Sequence, residues 1–197
     1  MLKYISNQFG NPRGIAGELV GYILAKNNIN RINWLITEMN IKPDDSILEI
    51  GFGPGVAVEI ISSLLTTGTI TGIDISGVML KQARKRNAAS IKSGKISLIK
   101  GTIDNLRPDE KFDKIFGMNV HIFWKNPVGE IIRLKHLLNE NGIFVLALQP
   151  RTAKSNEMVE KEVEKTKGYF NKAGLKIIDF KMLQIKPQSV FYVAGKL

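Results

Sequence analysis

The 197-residue chain contains no cysteine, which excludes disulfides, thiolate metal ligands and a cysteine nucleophile. Its two histidines, His121 and His136, stand too far apart to indicate a metal site, and we predict none. The apolar run at 143–148 is far too short to cross a bilayer. The N-terminal residues lack an apolar core followed by a small-residue cleavage site. We therefore expect a cytoplasmic protein with no membrane partner.

Negative charge is also scarce, since 18 acidic residues oppose 28 lysines and arginines, for a net charge of +10. The segment 81–95 is the most basic, because it holds several lysines and arginines and no acid. A basic helix can contact nucleic acid, but this one has no aromatic residue for base stacking. A solvated helix face is the plainer interpretation, so we do not predict a nucleic-acid partner.

The order of apolar segments predicts an α/β protein. Residues 1–45 carry apolar residues at helical spacing and are expected to form a helical N-terminal cap or lid. From residue 46 strand-like and helix-like patterns alternate, which predicts a mostly parallel, doubly wound sheet in one compact unit over 46–197. Strands are predicted at 46–50, 69–73, 96–99, 112–118, 143–148, 175–183 and 190–193, with the last antiparallel, and helices at 56–65, 77–91, 127–139 and about 155–172.

A glycine-rich turn follows the first predicted strand and carries most of the functional information. Glycines stand at 51, 53 and 55, where they allow positive φ and a close ligand approach. Asp74 ends the second strand, where its carboxylate can accept hydrogen bonds from a ribose diol. The pairing predicts a site for an adenosine-containing ligand.

The glycine spacing narrows the choice of ligand. Val56 stands where the dinucleotide motif G-x-G-x-x-G needs its third glycine, and no Gly-Lys-Ser/Thr phosphate loop follows. Glu49 lies two positions before the first glycine, where a carboxylate suits a cationic amino acid better than a pyrophosphate. This E-x-G-x-G-x-G pattern resembles the nucleotide loop of class I S-adenosylmethionine-dependent methyltransferases.

Further segments within residues 46–150 resemble the same family. Within that family, the chain resembles a small, type-11-like bacterial subgroup. Asp74–Ala83 resembles its D-x-S-x-x-M-x-x-x-A segment, and 112–124 resembles the strand that ends at the methyl-transfer site. Thr102 replaces the aspartate that bonds the adenine amino group in the family, so either Thr102 or Asp104 could make that contact. The resemblance implies a Rossmann-like seven-stranded fold, S-adenosyl-L-methionine as cofactor, S-adenosyl-L-homocysteine as product, and a cofactor site formed by Glu49, Gly51, Phe52, Gly53, Gly55, Asp74, Ile75, Met79, Thr102, Ile103 and Asn119.

The acceptor side of the predicted site is less well defined. His121 is the candidate general base, because its free pKa lies near neutrality, although a core or rim residue that lines the pocket as a spacer is the plainer interpretation. Phe123 and Trp124 are candidates for the pocket wall or for packing under the next helix. Phe9 and Arg13 lie in a Gly/Pro-punctuated segment that we expect to act as a lid over the substrate, with an ordinary tethered N-terminus as the alternative.

Three functions are compatible with these residues. The first is a methyltransferase for a small-molecule acceptor, acting as a monomer or homodimer. The second is an S-adenosylmethionine-binding protein without turnover, because Thr102 and the Glu140-Asn141 turn depart from the family pattern. The third is a nucleic-acid methyltransferase, which we rank last because the basic segment follows the second strand along a sheet face.

Overall fold

The computed structural model describes residues 29–150, 152–185 and 189–197. It divides into two compact units, one ending at Arg107 and one formed by Pro108–Leu197. Within the first unit, helix α1 covers residues 29–39, and its apolar face buries Leu35, Ile36 and Met39. No helix in the described part of the chain is long and apolar enough to span a membrane.

The first unit is built on three parallel strands. Strand β2 (Thr69–Asp74) lies between β1 (Ser46–Ile50) and β3 (Ile96–Lys100). Helix α2 (Val56–Leu64) joins β1 to β2, and α3 (Gly77–Arg86) and α4 (Ala88–Lys92) join β2 to β3. β1 and β2 are buried along most of their length, as expected where both faces of a parallel sheet are covered, whereas β3 alternates between buried and more exposed residues.

The second unit contains a mixed set of four strands. Strand β4 (Phe112–Met118) pairs in parallel with β5 (Leu138–Leu148), and α5 (Pro127–Lys135) connects them. Helix α6 (Asn156–Lys172) leads to β6 (Lys176–Leu183), and β7 (Val190–Lys196) runs antiparallel to both β5 and β6. The unit's core includes Phe144 and Phe170, whose stacked rings lie 5.4 Å apart.

The seven strands and their mostly parallel pairing confirm the predicted fold class, including the antiparallel last strand. The predicted helix over 155–172 is also confirmed, and Ser155 caps it by accepting a hydrogen bond from the Met158 N–H. The connection at 186–188 and the part of the predicted cap over residues 1–28 lie outside the described residues. The cap as a separate domain therefore stays a prediction.

Two predicted helix boundaries are wrong. The helix expected over 77–91 breaks at Asn87, whose φ and ψ of −105° and 20° separate α3 from α4. The helix expected over 127–139 ends at Lys135, and β5 begins at Leu138 rather than at residue 143. Pairing of Leu138 with Phe112, and a 2.7 Å hydrogen bond from Asn139 Nδ2 to Asp113 Oδ1, hold this part of the chain as strand.

Candidate active site

The predicted glycine turn forms a tight loop at the end of β1. Gly51, Gly53 and Gly55 have φ of 72°, 53° and 77°, in the left-handed region that glycine enters without steric cost. The Gly51 N–H donates to the Ile73 carbonyl at 2.7 Å, which fixes the start of the loop against β2. A Cβ added at Gly53 would meet no atom within 4 Å, whereas one added at Gly55 would lie 2.7 Å from the Ala83 Cβ, so the loop is open at Gly53 and packed at Gly55.

Asp74 is fixed at the end of β2 by two backbone donors. Its Oδ2 accepts from the Gly53 N–H at 2.9 Å, and its Oδ1 accepts from the Ser76 N–H at 2.8 Å. Burial raises the pKa of Asp74, while these two hydrogen bonds act in the opposite direction. Each carboxylate oxygen keeps a further lone pair, so the oriented group can still accept hydrogen bonds from a diol.

Glu49 is a buried carboxyl group close to Asp74. Its side chain is 5% exposed, and its Oε2 has no hydrogen-bond partner among the residues that the structure describes. Burial, and next the charge of Asp74, raise the pKa of Glu49 to about 8. Since an unpaired buried charge is costly, a cation placed beside this carboxyl group would stabilise its ionised form.

The other predicted cofactor residues of this unit divide by exposure. Ile75 is 49% exposed just after Asp74, where its side chain is free to pack on a flat ring. Met79 and Phe52 are each 2% exposed. A Cβ added at Gly72 would lie 2.9 Å from the Phe52 ring, so that ring packs over the glycine of β2. The side chains of Phe52 and Met79 thus belong to the core around the loop.

The segment after β3 is tied to the same region. The Gly101 N–H donates to the Asp74 carbonyl at 2.9 Å, and Thr102 and Ile103 follow directly. Thr102 Oγ1 donates to Asp104 Oδ2 at 3.0 Å, so the two residues proposed as alternatives for one contact are bonded to each other. The first unit therefore brings together Glu49, the glycine loop, Asp74 and this segment.

Within the second unit, Asn119 follows β4 in a left-handed conformation with φ of 58°. Its N–H donates to the Ala147 carbonyl at 2.8 Å, and its Oδ1 accepts from the Gln149 N–H at 2.8 Å. The side-chain oxygen therefore anchors the end of β4 to the end of β5. Asparagine tolerates this backbone conformation better than most residues, which explains its presence here.

His121 lies in the short 3₁₀ turn that follows, and it is only 3% exposed. Its Nε2 lies 3.5 Å from Thr166 Oγ1, and its Nδ1 has no partner within the described part of the chain. The ring contacts Trp124 edge-on, with centroids 6.4 Å apart. Burial, and next the charge of Lys165, lower the pKa of His121 to about 4, so the imidazole is neutral at pH 7.

The remaining predicted acceptor residues differ in accessibility. Phe123 is 55% exposed, and its neighbour Ile122 is equally exposed, although the sequence patterns did not single it out. Phe9 and Arg13 lie outside the described residues.

No group of histidine, aspartate and glutamate that could hold a metal ion occurs in the described ranges.

One contributor to the site was missed from the sequence. Ser76 donates its N–H to Asp74, and its Oγ accepts from the Met79 N–H at 3.4 Å as the N-cap of α3. A serine immediately before a helical pattern is a recognisable N-cap signal and could have identified this residue.

The fold is a mostly parallel α/β sheet, and its first unit carries a glycine loop beside two carboxyl groups at the ends of neighbouring strands. Residues 47–142 match a family model described as a methyltransferase domain. The chain is 32% identical over 178 residues to the uncharacterized methyltransferase YdaC of Bacillus subtilis, covering 86% of this chain and 93% of that protein. The chain belongs to the class I S-adenosylmethionine-dependent methyltransferases, and S-adenosylmethionine is its cofactor.

Two further similarities agree with this family. A trans-aconitate 2-methyltransferase of Enterobacter is 24% identical to this chain. The alignment covers 71% of this chain and 53% of that protein. The solved structure of magnesium protoporphyrin IX methyltransferase from Synechocystis with bound S-adenosylmethionine is 18% identical, with a TM-score of 0.63. The structural alignment covers 96% of this chain and 88% of the Synechocystis chain, so the two share the same fold.

Proposed function

We propose that this methyltransferase acts on a small-molecule acceptor and holds its cofactor mainly through the first unit. The observation that carries the cofactor assignment is the pair of carboxyl groups at the glycine loop. Asp74 is oriented by two backbone donors, and Glu49 presents a buried oxygen without a partner in the described residues. A ligand with a diol and a cationic ammonium group complements both.

We assign these residues the following roles. Asp74 accepts hydrogen bonds from the ribose hydroxyls, and Glu49 pairs with the ammonium group of the cofactor's amino acid. The backbone of Gly51, Phe52 and Gly53 allows the close approach, Gly55 packs the loop against the end of α3, and Ile75 packs against the adenine. Met79 supports Ile75 from the core, while Thr102, Ile103 and Asn119 complete the proposed set.

The cofactor supplies an activated methyl group on a sulfonium, which the acceptor atom displaces in line. The protein's contribution is to hold the acceptor close and aligned and to exclude water. For a hydroxyl acceptor we propose His121 as the proton acceptor, because its ring is neutral at pH 7 and its Nδ1 has no partner in the described residues. Burial and a pKa of about 4 make it a weak base, so this role requires the acceptor hydroxyl to reach Nδ1 directly. Phe123 and Trp124 are proposed to contact the acceptor, and Phe9 and Arg13 to cover it.

The names of the relatives include small acceptors as well as an acyl group carried on a protein. Two trans-aconitate 2-methyltransferases act on a small carboxylate, by their names, whereas two others act on a malonyl-[acyl-carrier protein]. Another is a ubiquinone/menaquinone biosynthesis C-methyltransferase. We also propose a cytoplasmic monomer or homodimer without a membrane partner, and we rank nucleic acid below a small molecule as the acceptor.

The decisive experiment uses methyl-labelled S-adenosylmethionine with cell extract separated into metabolite, protein and nucleic-acid fractions. Label should enter the metabolite fraction with wild-type protein, and less should enter with Asp74→Ala at a cofactor concentration that does not saturate the variant. Label in the protein or nucleic-acid fraction would contradict the small-molecule proposal. Binding of S-adenosylhomocysteine without transfer to any fraction would support the binding-only alternative.

A further inference from the structure

The basic segment 81–95 contains contacts that its charge alone does not explain. Arg86 is a surface residue, yet its Nε donates to the Pro54 carbonyl at 3.1 Å. The same guanidinium also pairs with Glu59 of α2 at 3.0 Å. Arg86 therefore connects the end of α3 to the glycine loop and to helix α2, which follows that loop.

Asn87 makes a second connection to the same loop from a buried position. It is 4% exposed, and its Nδ2 donates to the Gly55 carbonyl at 3.1 Å and to the Ala83 carbonyl at 2.9 Å. A side-chain amide has two N–H donors on one nitrogen, which is what two neighbouring carbonyl acceptors require. Aspartate has the same shape but no donor at neutral pH.

The packing around Asn87 leaves little freedom for the loop. A Cβ added at Gly55 would lie 2.7 Å from both the Ala83 Cβ and the Asn87 Nδ2. The loop and the end of α3 are therefore in direct contact at Gly55. At the other end of α3, the Ser76 N–H and the Gly53 N–H share the carboxylate of Asp74.

We propose that Asn87, assisted by Arg86, is a positioning residue that fixes the glycine loop in its cofactor-binding shape. This inference rests on the proposed cofactor site. Helix α3 then holds the loop at two points, through Asp74 and Ser76 before the helix and through Asn87 after it. The break in the helix at Asn87 places the side-chain amide where it reaches Gly55.

The test combines cofactor affinity with local hydrogen exchange. Asn87→Ala and Asn87→Asp should each weaken S-adenosylhomocysteine binding about tenfold by isothermal titration, the scale expected for one lost hydrogen bond that orders a loop. Amides in peptides covering 50–56 should exchange faster in the ligand-free variants. Asn139→Ala is the matched control, because Asn139 donates to Asp113 in the other unit. It should lower thermal stability without changing affinity.

A surface pair of variants keeps the proposal testable if the Asn87 variants fail to fold. Arg86→Lys keeps the charge but cannot reach both Pro54 and Glu59 through a planar fork, and it should weaken binding about threefold. Arg84→Lys on the exposed surface of the same helix should have no effect. Wild-type affinity and loop exchange in Arg86→Lys and in any folded Asn87 variant would overturn the proposal. Failure of the wild-type protein to bind S-adenosylhomocysteine would instead overturn the proposed cofactor site. Faster exchange of the loop amides in the variants would then still support the role of Asn87 and Arg86 in fixing the loop.

Discussion

Ionisation of Glu49 should couple cofactor binding to pH. Its pKa is raised to about 8 in the ligand-free protein, so the group is mostly protonated at pH 7. If the cofactor's ammonium group pairs with the carboxylate, binding must release the proton. At pH 7 about one proton should leave for each ligand bound, and affinity should fall about tenfold between pH 7 and pH 6.

The proposed assay is isothermal titration with S-adenosylhomocysteine at pH 6 and pH 7, in buffers with different ionisation enthalpies. The dependence of the observed heat on the buffer gives the number of protons released. Glu49→Gln keeps the shape of the side chain but cannot ionise, so it should bind more weakly at pH 7 and lose the proton release. Glu140→Gln, an exposed acid in the second unit, should behave as wild type.

Stability of the ligand-free protein gives an independent measure of the same group. A carboxyl group whose folded pKa is raised favours the folded state fully below its unfolded value of 4.5. That stabilisation is lost as pH rises from 4.5 towards about 8. Glu49→Gln should remove this part of the pH dependence in urea unfolding. Binding without proton release, or a pH slope that persists in Glu49→Gln, would refute the reasoning.

Three further predictions concern Asp74 and His121. Asp74→Ala should weaken S-adenosylhomocysteine binding by about 1–3 kcal/mol, because ribose hydroxyls would lose their acceptor; unchanged affinity would mean that the ribose assignment is wrong. The lowered pKa of His121 favours the neutral ring in the folded state. The contribution of this residue to the free energy of unfolding is therefore complete above pH 6.5 and declines by about 3 kcal/mol as the pH falls towards 4. His121→Gln should flatten this decline in urea unfolding, whereas the exposed His136→Gln should leave it unchanged. Once an acceptor is known, His121→Ala should lower turnover about 10²–10⁴-fold if the residue is a general base; an insensitive rate would leave proximity and orientation as the source of catalysis.

The glycine loop and Asp74 could be predicted because their signals are local. Three glycines at alternate positions predict the turn after the first strand, and an acid at the end of the second strand predicts a carboxylate beside that turn. The position of Leu138 could not be predicted in this way, because its strand conformation depends on pairing with Phe112. Its apolar spacing continues the pattern of the preceding helix, so the local signal favoured the wrong element.

The contacts of His121 and Asn87 illustrate the same limit within the candidate site. The histidine is buried beside Thr166, which is 45 positions away in the sequence. Asn87 stands in a run of residues compatible with one long helix, and its contact with Gly55 spans 32 positions. Neither partner could be inferred from periodicity, so the sequence left His121 as either a general base or a core residue and did not identify its contact with Thr166.

The hydrogen bonds of Asn119 have a consequence for how this enzyme could change its acceptor. The main chain leaves β4 in a direction set by contacts to Ala147 and Gln149, which involve none of the side chains that follow. The exposed residues Ile122 and Phe123 can therefore be replaced without disturbing the strand register beneath them. Acceptor preference could evolve in this turn at little cost in folding free energy, which makes it the first segment to randomise when a new methylation activity is sought.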